Sequence, residues 1–154
     1  MKVKFIQDDP NAKLPFKATP RSACDDVYSV ENVTIPPGKT VLVSTGLKVA
    51  YIPEGFKIEV FDRSGMGAKG ILLGNGVGQV DEDYRGLLKV ILFNSATPVP
   101  WYKKLFGVKD KNYEIKIGDR IAQIALRNVY PTEYAFTDTF ENTVRGAGGF
   151  GSTN

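Results

Sequence analysis

The sequence predicts an all-β fold, either a sandwich or a barrel, on three observations. Short apolar runs recur between turns rich in glycine and proline, of which the chain has 16 and 9, a spacing typical of β-sandwiches and barrels. No stretch of about a dozen residues carries an apolar stripe at helical spacing, so at most one short helix is expected, around residues 65–69. A length of 154 residues suits a single domain.

The individual strands follow from the way in which apolar residues are spaced. Residues 56–60 and 113–117 alternate strictly between apolar and polar side chains, which predicts half-buried strands. Three runs are more continuously apolar, which predicts strands covered on both faces: 41–43, 87–93 and 121–126. Residues that favour turns separate the strands at 36–38, 53–55, 85–86 and 117–119.

Two segments interrupt this pattern of strands. Residues 95–112 hold the only tryptophan, two prolines and four lysines, and residues 145–154 form a glycine-rich tail with too little apolar content for a core element. We therefore expect one β domain over residues 1–144, with an inserted loop at 95–112. The tail at 145–154 would be a C-terminal arm.

The composition excludes several kinds of chemistry. The chain has no histidine, which excludes a Ser-His-Asp triad and a zinc site built on imidazoles. Its single cysteine excludes an internal disulfide and a cysteine-rich metal site. A formal net charge of +3 is too small to indicate a nucleic-acid or membrane partner, so neither is expected. Any catalysis must use carboxylates, hydroxyls, amides and backbone groups.

The first residues give an expectation about location. They contain no apolar run long enough for a signal peptide, and no stretch of the chain approaches the length of a membrane span. We expect a cytoplasmic protein, or one in the host cytoplasm if the source is viral.

Three segments outside the predicted strands carry groups suited to phosphate binding or to acid–base chemistry. Residues 63–65 offer a guanidinium, a hydroxyl and an unhindered backbone amide. Residues 78–86 concentrate three carboxylates, a tyrosine and an arginine, and residues 145–154 combine an arginine and two hydroxyls with four glycines. Taken singly, each has a plain alternative: a surface turn, a charged hairpin tip and a frayed terminus.

Taken in order, five segments resemble the five motifs of the trimeric dUTP nucleotidohydrolases (dUTPases), over nearly the whole chain. The segments are 22–29, 63–65, 74–86, 118–123 and 145–153. The third and the fifth are close to the family pattern throughout. The first departs from it, because Cys24 stands where the family usually has glycine and Asp25 where it has an aromatic residue.

The resemblance implies a fold, an assembly and a reaction. The fold is a distorted jelly-roll-like β-barrel, assembled as a homotrimer with shared active sites and a swapped C-terminal arm that closes over a neighbouring site. The reaction is hydrolysis of dUTP to dUMP and pyrophosphate. This activity limits the incorporation of uracil into DNA and supplies dUMP for thymidylate synthesis.

The catalytic group that the resemblance implies is the carboxylate of Asp81. It matches the residue that positions and activates the water attacking the α-phosphorus, and in a chain without histidine a carboxylate is the practical base. Mg²⁺ is the implied cofactor, held mainly by the triphosphate. Asp26 matches the residue that reaches the ion through water.

The nucleoside would be recognised chiefly by the third motif. Asn75 and backbone groups near Val80 and Lys89 would read the edge of the uracil. Tyr84 would stack on the deoxyribose and leave no room for a 2′-hydroxyl, and Phe150 from the arm would cover the uracil face.

The phosphates would be bound by the remaining motifs. The set consists of Ser64, Gly65 and Gln123 at the α- and β-phosphates and of Arg145, Gly151, Ser152 and Thr153 in the arm segment that binds the γ end. Arg63 belongs to the same substrate-binding set, where it would orient a carboxylate rather than contact the nucleotide. Asp83, Asp119 and Arg120 are assigned to structural ion pairs.

A related enzyme gives the first alternative function. The dCTP deaminases share the implied fold but lack both the Asp-x-Asp-Tyr-Arg-Gly element and the glycine-rich arm. Residues 81–86 and 145–154 supply both features in this chain.

The insert at 95–112 allows two further interpretations. Its apolar side chains lie among lysines, and such clusters are favoured at protein interfaces. The insert would then bind a protein partner. Alternatively, it is an Ω-loop that buries its own aromatic side chains.

Overall fold

The computed structural model describes residues 1–149. Over that range it contains ten strands and two short helices. The strands are β1 Lys4–Gln7, β2 Asp25–Tyr28, β3 Val33–Ile35, β4 Thr40–Tyr51, β5 Phe56–Phe61, β6 Ile71–Leu73, β7 Gly78–Val80, β8 Leu87–Asn94, β9 Tyr113–Ile115 and β10 Arg120–Asn128. The helices are α1 Ser64–Gly67 and α2 Trp101–Lys104.

Each strand predicted from the apolar pattern is present, as part of β4, β5, β8, β9 or β10. The expected short helix is confirmed as α1, but the expectation of at most one helix is wrong, because α2 forms inside the insert. Four residues that follow Pro100 are too few to show helical periodicity. Both faces of β10 are buried, as predicted. The same prediction is wrong for β8, of which one face is only partly covered, and for β4 at 41–43, where Leu42 is exposed.

The strands form two four-stranded antiparallel sheets and one two-stranded sheet. The first has the order β1-β4-β8-β6 and the second β2-β10-β5-β7, and β3 pairs with β9. Every pairing is antiparallel. This architecture confirms the predicted all-β class and agrees with a jelly-roll-like barrel.

One apolar cluster joins the two larger sheets. Val90 and Leu92 of the first sheet and Ile58, Val60 and Ile124 of the second belong to the same buried core. Packing of this kind buries one face of each sheet and leaves the strand ends and connecting loops free to carry functional groups.

No helix within residues 1–149 has the length and apolar character needed to cross a membrane.

Candidate active site

A cleft of about 570 Å³ is lined by residues of β7, of β8 and of the loop that joins these two strands. Its size is typical of a small-molecule site. The four residues that the third motif contributes to the predicted site line it, together with Lys89 of β8: Asn75, Val80, Asp81 and Tyr84. Most of the remaining wall is apolar, with Leu42, Leu87 and Ile91 among its side chains, and Gln79 adds a polar group.

Glycines allow the chain to form this cleft. Gly76 adopts a φ of 70°, which favours glycine, in the turn before β7. Gly78 pairs with Val60 of β5, and a Cβ at Gly78 would lie 2.9 Å from the Cβ of Val60. The turn and the close approach of β5 and β7 therefore both depend on glycine.

The loop that follows β7 is held by local hydrogen bonds. The Tyr84 hydroxyl donates to the carbonyl of Leu87 at 2.9 Å, and the Tyr84 amide donates to the carbonyl of Asp81 at 3.2 Å. A side chain at Gly86 would collide with the Tyr84 ring, so glycine is needed there for the ring to lie against the backbone. These contacts fix the ring at the edge of the cleft.

The carboxylate of Asp81 is exposed at the point where β7 ends. Within residues 1–149 this carboxylate accepts no hydrogen bond, so its oxygens are available to water or to a ligand. Asp81 also lines a second, more open groove of about 800 Å³. A carboxylate in such a position can orient a water molecule and accept its proton.

A second cluster, which we call the Asp26 cluster, forms where β2 pairs with β10. Asp26 Oδ1 accepts from Arg63 Nε at 2.8 Å and from Gln123 Nε2 at 3.1 Å, and Oδ2 accepts from an Arg120 nitrogen at 3.2 Å. Burial of Asp26 acts to raise its pKa. The hydrogen bonds from these three residues and the charge of Arg63 outweigh burial, so the pKa lies below its usual value.

This geometry tests several expectations for charged residues. Arg63 does orient a carboxylate, and Arg120 does belong to a structural ion pair. Among residues 1–149, Asp119 forms no ion pair with a cationic side chain and instead accepts a hydrogen bond from the backbone N–H of Lys116. Within residues 1–149, Asp83 has no cationic group within salt-bridge distance, so the ion pair expected for Asp83 is not formed in that range.

The Asp26 cluster borders another cleft, of about 480 Å³. Arg63, Gly65 and Arg120 line it together with Lys69 and Tyr113. Sequence reasoning missed Lys69 and Tyr113, which meet only in the folded chain: the Lys69 ammonium lies 5.7 Å from the centre of the Tyr113 ring. The predicted phosphate residue Ser64 is exposed in α1, next to Gly65.

A family model described as dUTPase matches residues 10–154. The chain belongs to the dUTPase family. The resemblance of its five motifs to those of the family is therefore confirmed.

Individual relatives cover nearly all of the chain. The deoxyuridine 5'-triphosphate nucleotidohydrolase of Helicobacter pylori (strain P12) is 36% identical and covers 99% of this chain and 97% of its own length. That of Wolinella succinogenes is 38% identical, with 99% and 94% covered. The human mitochondrial protein of the same name is 38% identical, with 99% of this chain and 55% of its own length covered.

Solved dUTPase structures share the fold. The dUTPase of Staphylococcus bacteriophage 80alpha with dUPNHPP has a TM-score of 0.84 at 23% identity, with 99% and 98% of the two chains covered. The dUTPase of Staphylococcus aureus phage phi11, in a structure that visualises its species-specific insert, has a TM-score of 0.78 at 22% identity, with 93% and 100% covered.

The dUTPase motifs of this single chain are divided between two clefts. The third motif lines the cleft with Asp81, and the second and fourth motifs line the cleft with Arg63 and Arg120. The two linings share no residue. Arg145 lies in neither and donates to the carbonyl of Gly148. Four predicted arm residues lie outside the described range: Phe150, Gly151, Ser152 and Thr153.

The described residues do not form a resident magnesium site. Residues 1–149 contain no group of three or more His, Cys, Asp or Glu side chains that is placed to hold a metal ion. Both oxygens of Asp26 already accept hydrogen bonds, and each oxygen accepts one from a cationic guanidinium group. These groups would repel a metal ion bound at the same oxygens. Contact between Asp26 and a metal through water stays a prediction.

The insert at 95–112 is folded at its base and exposed at its tip. Asp110 accepts hydrogen bonds from the Val99 amide at 2.8 Å and from the Lys104 ammonium at 2.6 Å, which closes the base. Leu105 is 75% exposed and Phe106 85%. The alternative in which the insert buries its own aromatic side chains is therefore wrong for the single chain.

Proposed function

We propose that this chain hydrolyses dUTP to dUMP and pyrophosphate. Membership of the dUTPase family and the names of the relatives support this reaction. The observation that carries the proposal is the cleft in which an exposed carboxylate, Asp81, stands beside Asn75 and Tyr84. The reaction would remove dUTP before it reaches DNA and supply dUMP for thymidylate synthesis.

In this proposal Asp81 orients the water that attacks the α-phosphorus and accepts its proton. The exposed carboxylate has both oxygens available for this task. The proton must pass to a carboxylate because the chain has no histidine. Water attack breaks the bond between the α-phosphorus and the oxygen that bridges to the β-phosphate, so pyrophosphate leaves and dUMP remains.

The remaining walls of the cleft would select the nucleoside. Asn75 and the backbone at Val80 and Lys89 offer polar groups for the uracil edge. Tyr84, held by its bond to Leu87, would limit the space at the sugar. Such a site would exclude a ribose sterically, and a wrong base would leave its polar groups unpaired. It would therefore discriminate strongly against UTP and against nucleotides with other bases.

The phosphates would extend toward the Asp26 cluster. Ser64, Gly65 and Gln123 would contact the α- and β-phosphates, with Arg63 held in place by Asp26. The arm residues Arg145, Gly151, Ser152 and Thr153 would bind the γ end, and Phe150 would cover the base. Magnesium would arrive as part of the dUTP complex.

We propose a homotrimer in which different chains complete each site. The division of the motifs between two clefts supports this, because one chain does not bring Asp81 and the Asp26 cluster into a common lining. The segment after β10 gives further support. Tyr134, Phe136, Phe140 and Val144, which precede the arm, are almost fully exposed on the single chain, as expected for a segment that packs on another copy.

One assay tests the reaction. Pyrophosphate release should be rapid with dUTP and far slower with dCTP, dTTP and UTP. Release of ammonia from dCTP, without pyrophosphate from dUTP, would assign the chain to the deaminase reaction instead. Equal rates with dUTP and UTP would contradict the role of Tyr84 at the sugar.

For the insert we propose a separate role as a docking surface for a protein partner with acidic and apolar side chains. Exposed Trp101, Leu105 and Phe106 lie among lysines, which outnumber the acidic residues of the insert by four to one. Deletion of residues 96–111 should leave dUTP turnover intact. Loss of turnover in a folded deletion variant would instead place the insert in the active site or the trimer interface.

A further inference from the structure

Gly55 connects two functional segments that are distant in sequence. It occupies the turn between β4 and β5 with a φ of 72°. Its N–H donates to Glu82 Oε2 at 2.9 Å, and its carbonyl accepts from the N–H of Val129 at 2.8 Å. One residue thus holds both the loop after Asp81 and the point where the C-terminal segment leaves β10.

The loop after β7 is tied to the body at its last residue, where the Gly86 carbonyl accepts from the Val49 N–H at 3.0 Å. Arg85 donates to the carbonyls of Glu82 at 2.7 Å and Tyr84 at 2.8 Å, so the loop is closed upon itself. Within residues 1–149, the contact from Glu82 to Gly55 is the only side-chain hydrogen bond that joins 81–85 to a residue beyond the loop and β8. Asp81 directly follows Val80, whose pairing with Ile58 fixes the backbone on one side of the carboxylate. The hydrogen bond of Glu82 is the side-chain link that holds the loop on the other side.

The same contacts form the walls of one groove. The groove of about 800 Å³ is lined by Asp81 and Glu82 on one side and by residues 128–132 on the other, with Glu54 and Gly55 between them. The first residues of the C-terminal segment thus begin beside the carboxylate assigned to catalysis.

We propose that Glu82 is a positioning residue that acts through Gly55. The hydrogen bond of Glu82 holds the Asp81 loop against the turn that also binds Val129. The distance between the Asp81 carboxylate and the start of the C-terminal segment at Val129 is thereby kept constant. The proposal rests on the function proposed above. It requires an acceptor oxygen at the reach of a glutamate side chain, and it does not require the negative charge.

A pair of variants separates reach from charge. Glu82→Gln keeps an acceptor oxygen at the same distance and loses the charge, whereas Glu82→Asp keeps the charge but is one methylene too short. In a steady-state pyrophosphate assay with dUTP, Glu82→Gln should retain a kcat within about twofold of the unmodified chain, and Glu82→Asp should lose about tenfold in kcat with little change in KM. Glu54→Gln is the matched control, since this exposed carboxylate lines the same groove and makes no hydrogen bond to any of residues 1–149, and its kinetics should be unchanged.

Other outcomes would overturn the inference. If Glu82→Asp is active and Glu82→Gln is not, the charge matters and the hydrogen bond does not. If both retain full kcat, the contact has no role in positioning. Melting temperature and sedimentation are measured for every variant, and a Glu82→Asp protein that unfolds or dissociates would make the contact a stability element instead. Failure of the unmodified chain to hydrolyse dUTP would refute the proposed function, which is a separate result.

Discussion

Replacement of Asp26 by asparagine gives a direct test of how β2 is joined to β10. Asp26 is only 3% exposed and lies opposite Gln123 in the pairing of the two strands. The substitution removes the negative charge that compensates Arg63 and Arg120. It also turns an N–H₂ group toward one of these arginines, because an amide has a single oxygen.

The size of the effect follows from the exposure of the partners. Removal of one partner from a buried ion pair costs about 3–5 kcal/mol. The Arg120 side chain is 50% exposed, so water solvates its charge when the partner is removed. We therefore expect a loss at the lower end of this range, about 3 kcal/mol in the free energy of unfolding. For a chain of this size, that loss lowers Tm by about 6–12 °C.

Differential scanning calorimetry at fixed protein concentration and neutral pH measures this loss. Asp25→Asn is the matched control, because Asp25 lies on the same strand and its one ion pair within residues 1–149 is a long, partly exposed contact with Lys17 at 3.8 Å. We expect this control to change stability by less than about 1 kcal/mol. An Asp26→Asn protein that melts within about 2 °C of the unmodified chain would refute the assignment of a buried ion-pair cluster.

The pH dependence of the same difference provides a second check. The pKa of Asp26 is lower in the folded chain than its ordinary value of 3.8. Its contribution to stability is therefore fully present above that value and is lost as the pH falls through the lower, folded value. The Tm difference between the unmodified chain and Asp26→Asn should be constant from neutral pH down to about pH 5 and shrink below it.

Two further substitutions and one truncation test the site. Asp81→Asn should bind dUTP almost normally in calorimetric titration and lose most of its turnover, because an amide cannot accept the proton of water. Turnover comparable with that of the unmodified chain would refute the catalytic assignment of Asp81. Truncation after Val144 should suppress turnover and leave the trimer intact in sedimentation, whereas monomers would show that the arm also holds the assembly. Gly86→Ala should displace the Tyr84 ring and break its bond to Leu87, which costs about 1 kcal/mol in stability and should narrow the preference for dUTP over UTP in the pyrophosphate assay.

Local patterns predicted much of the fold but not the strands that depend on distant partners. The alternation at 56–60 and 113–117 identified β5 and β9, because one face of each strand meets the core. β2 was missed because it begins with two aspartates. Asp26 can be buried only because arginines 37 and 94 residues away in the chain compensate its charge.

The candidate site shows the same limit. The resemblance of the third motif to the family pattern identified Asn75, Asp81 and Tyr84, which lie within ten residues of one another and share a cleft. The link from Glu82 to Gly55 spans 27 residues, and no local pattern indicates it. Such contacts arise when separate strands are brought together, so they become visible only in the folded chain.

The division of the motifs between two clefts makes the trimer testable by mixing subunits. Asp81→Asn disables the cleft of the third motif, and Ser64→Glu disables the other by placing an exposed negative charge among the proposed phosphate contacts. Each homotrimer should be inactive. Equal amounts of the two variants are then unfolded together and refolded, so that mixed trimers form. If the two clefts of a site come from different subunits, about one quarter of the sites combine an intact third-motif cleft from a Ser64→Glu chain with an intact second cleft from an Asp81→Asn chain.

The mixture should therefore recover about a quarter of the activity of the unmodified trimer. If both clefts of a site came from the same chain, every site would carry one defect and the mixture would stay inactive. Mixing the two homotrimers without unfolding is the control, and it should show no recovery because subunits are not exchanged. Recovery after refolding would demonstrate that the two clefts, which are separate on one chain, act together across an interface.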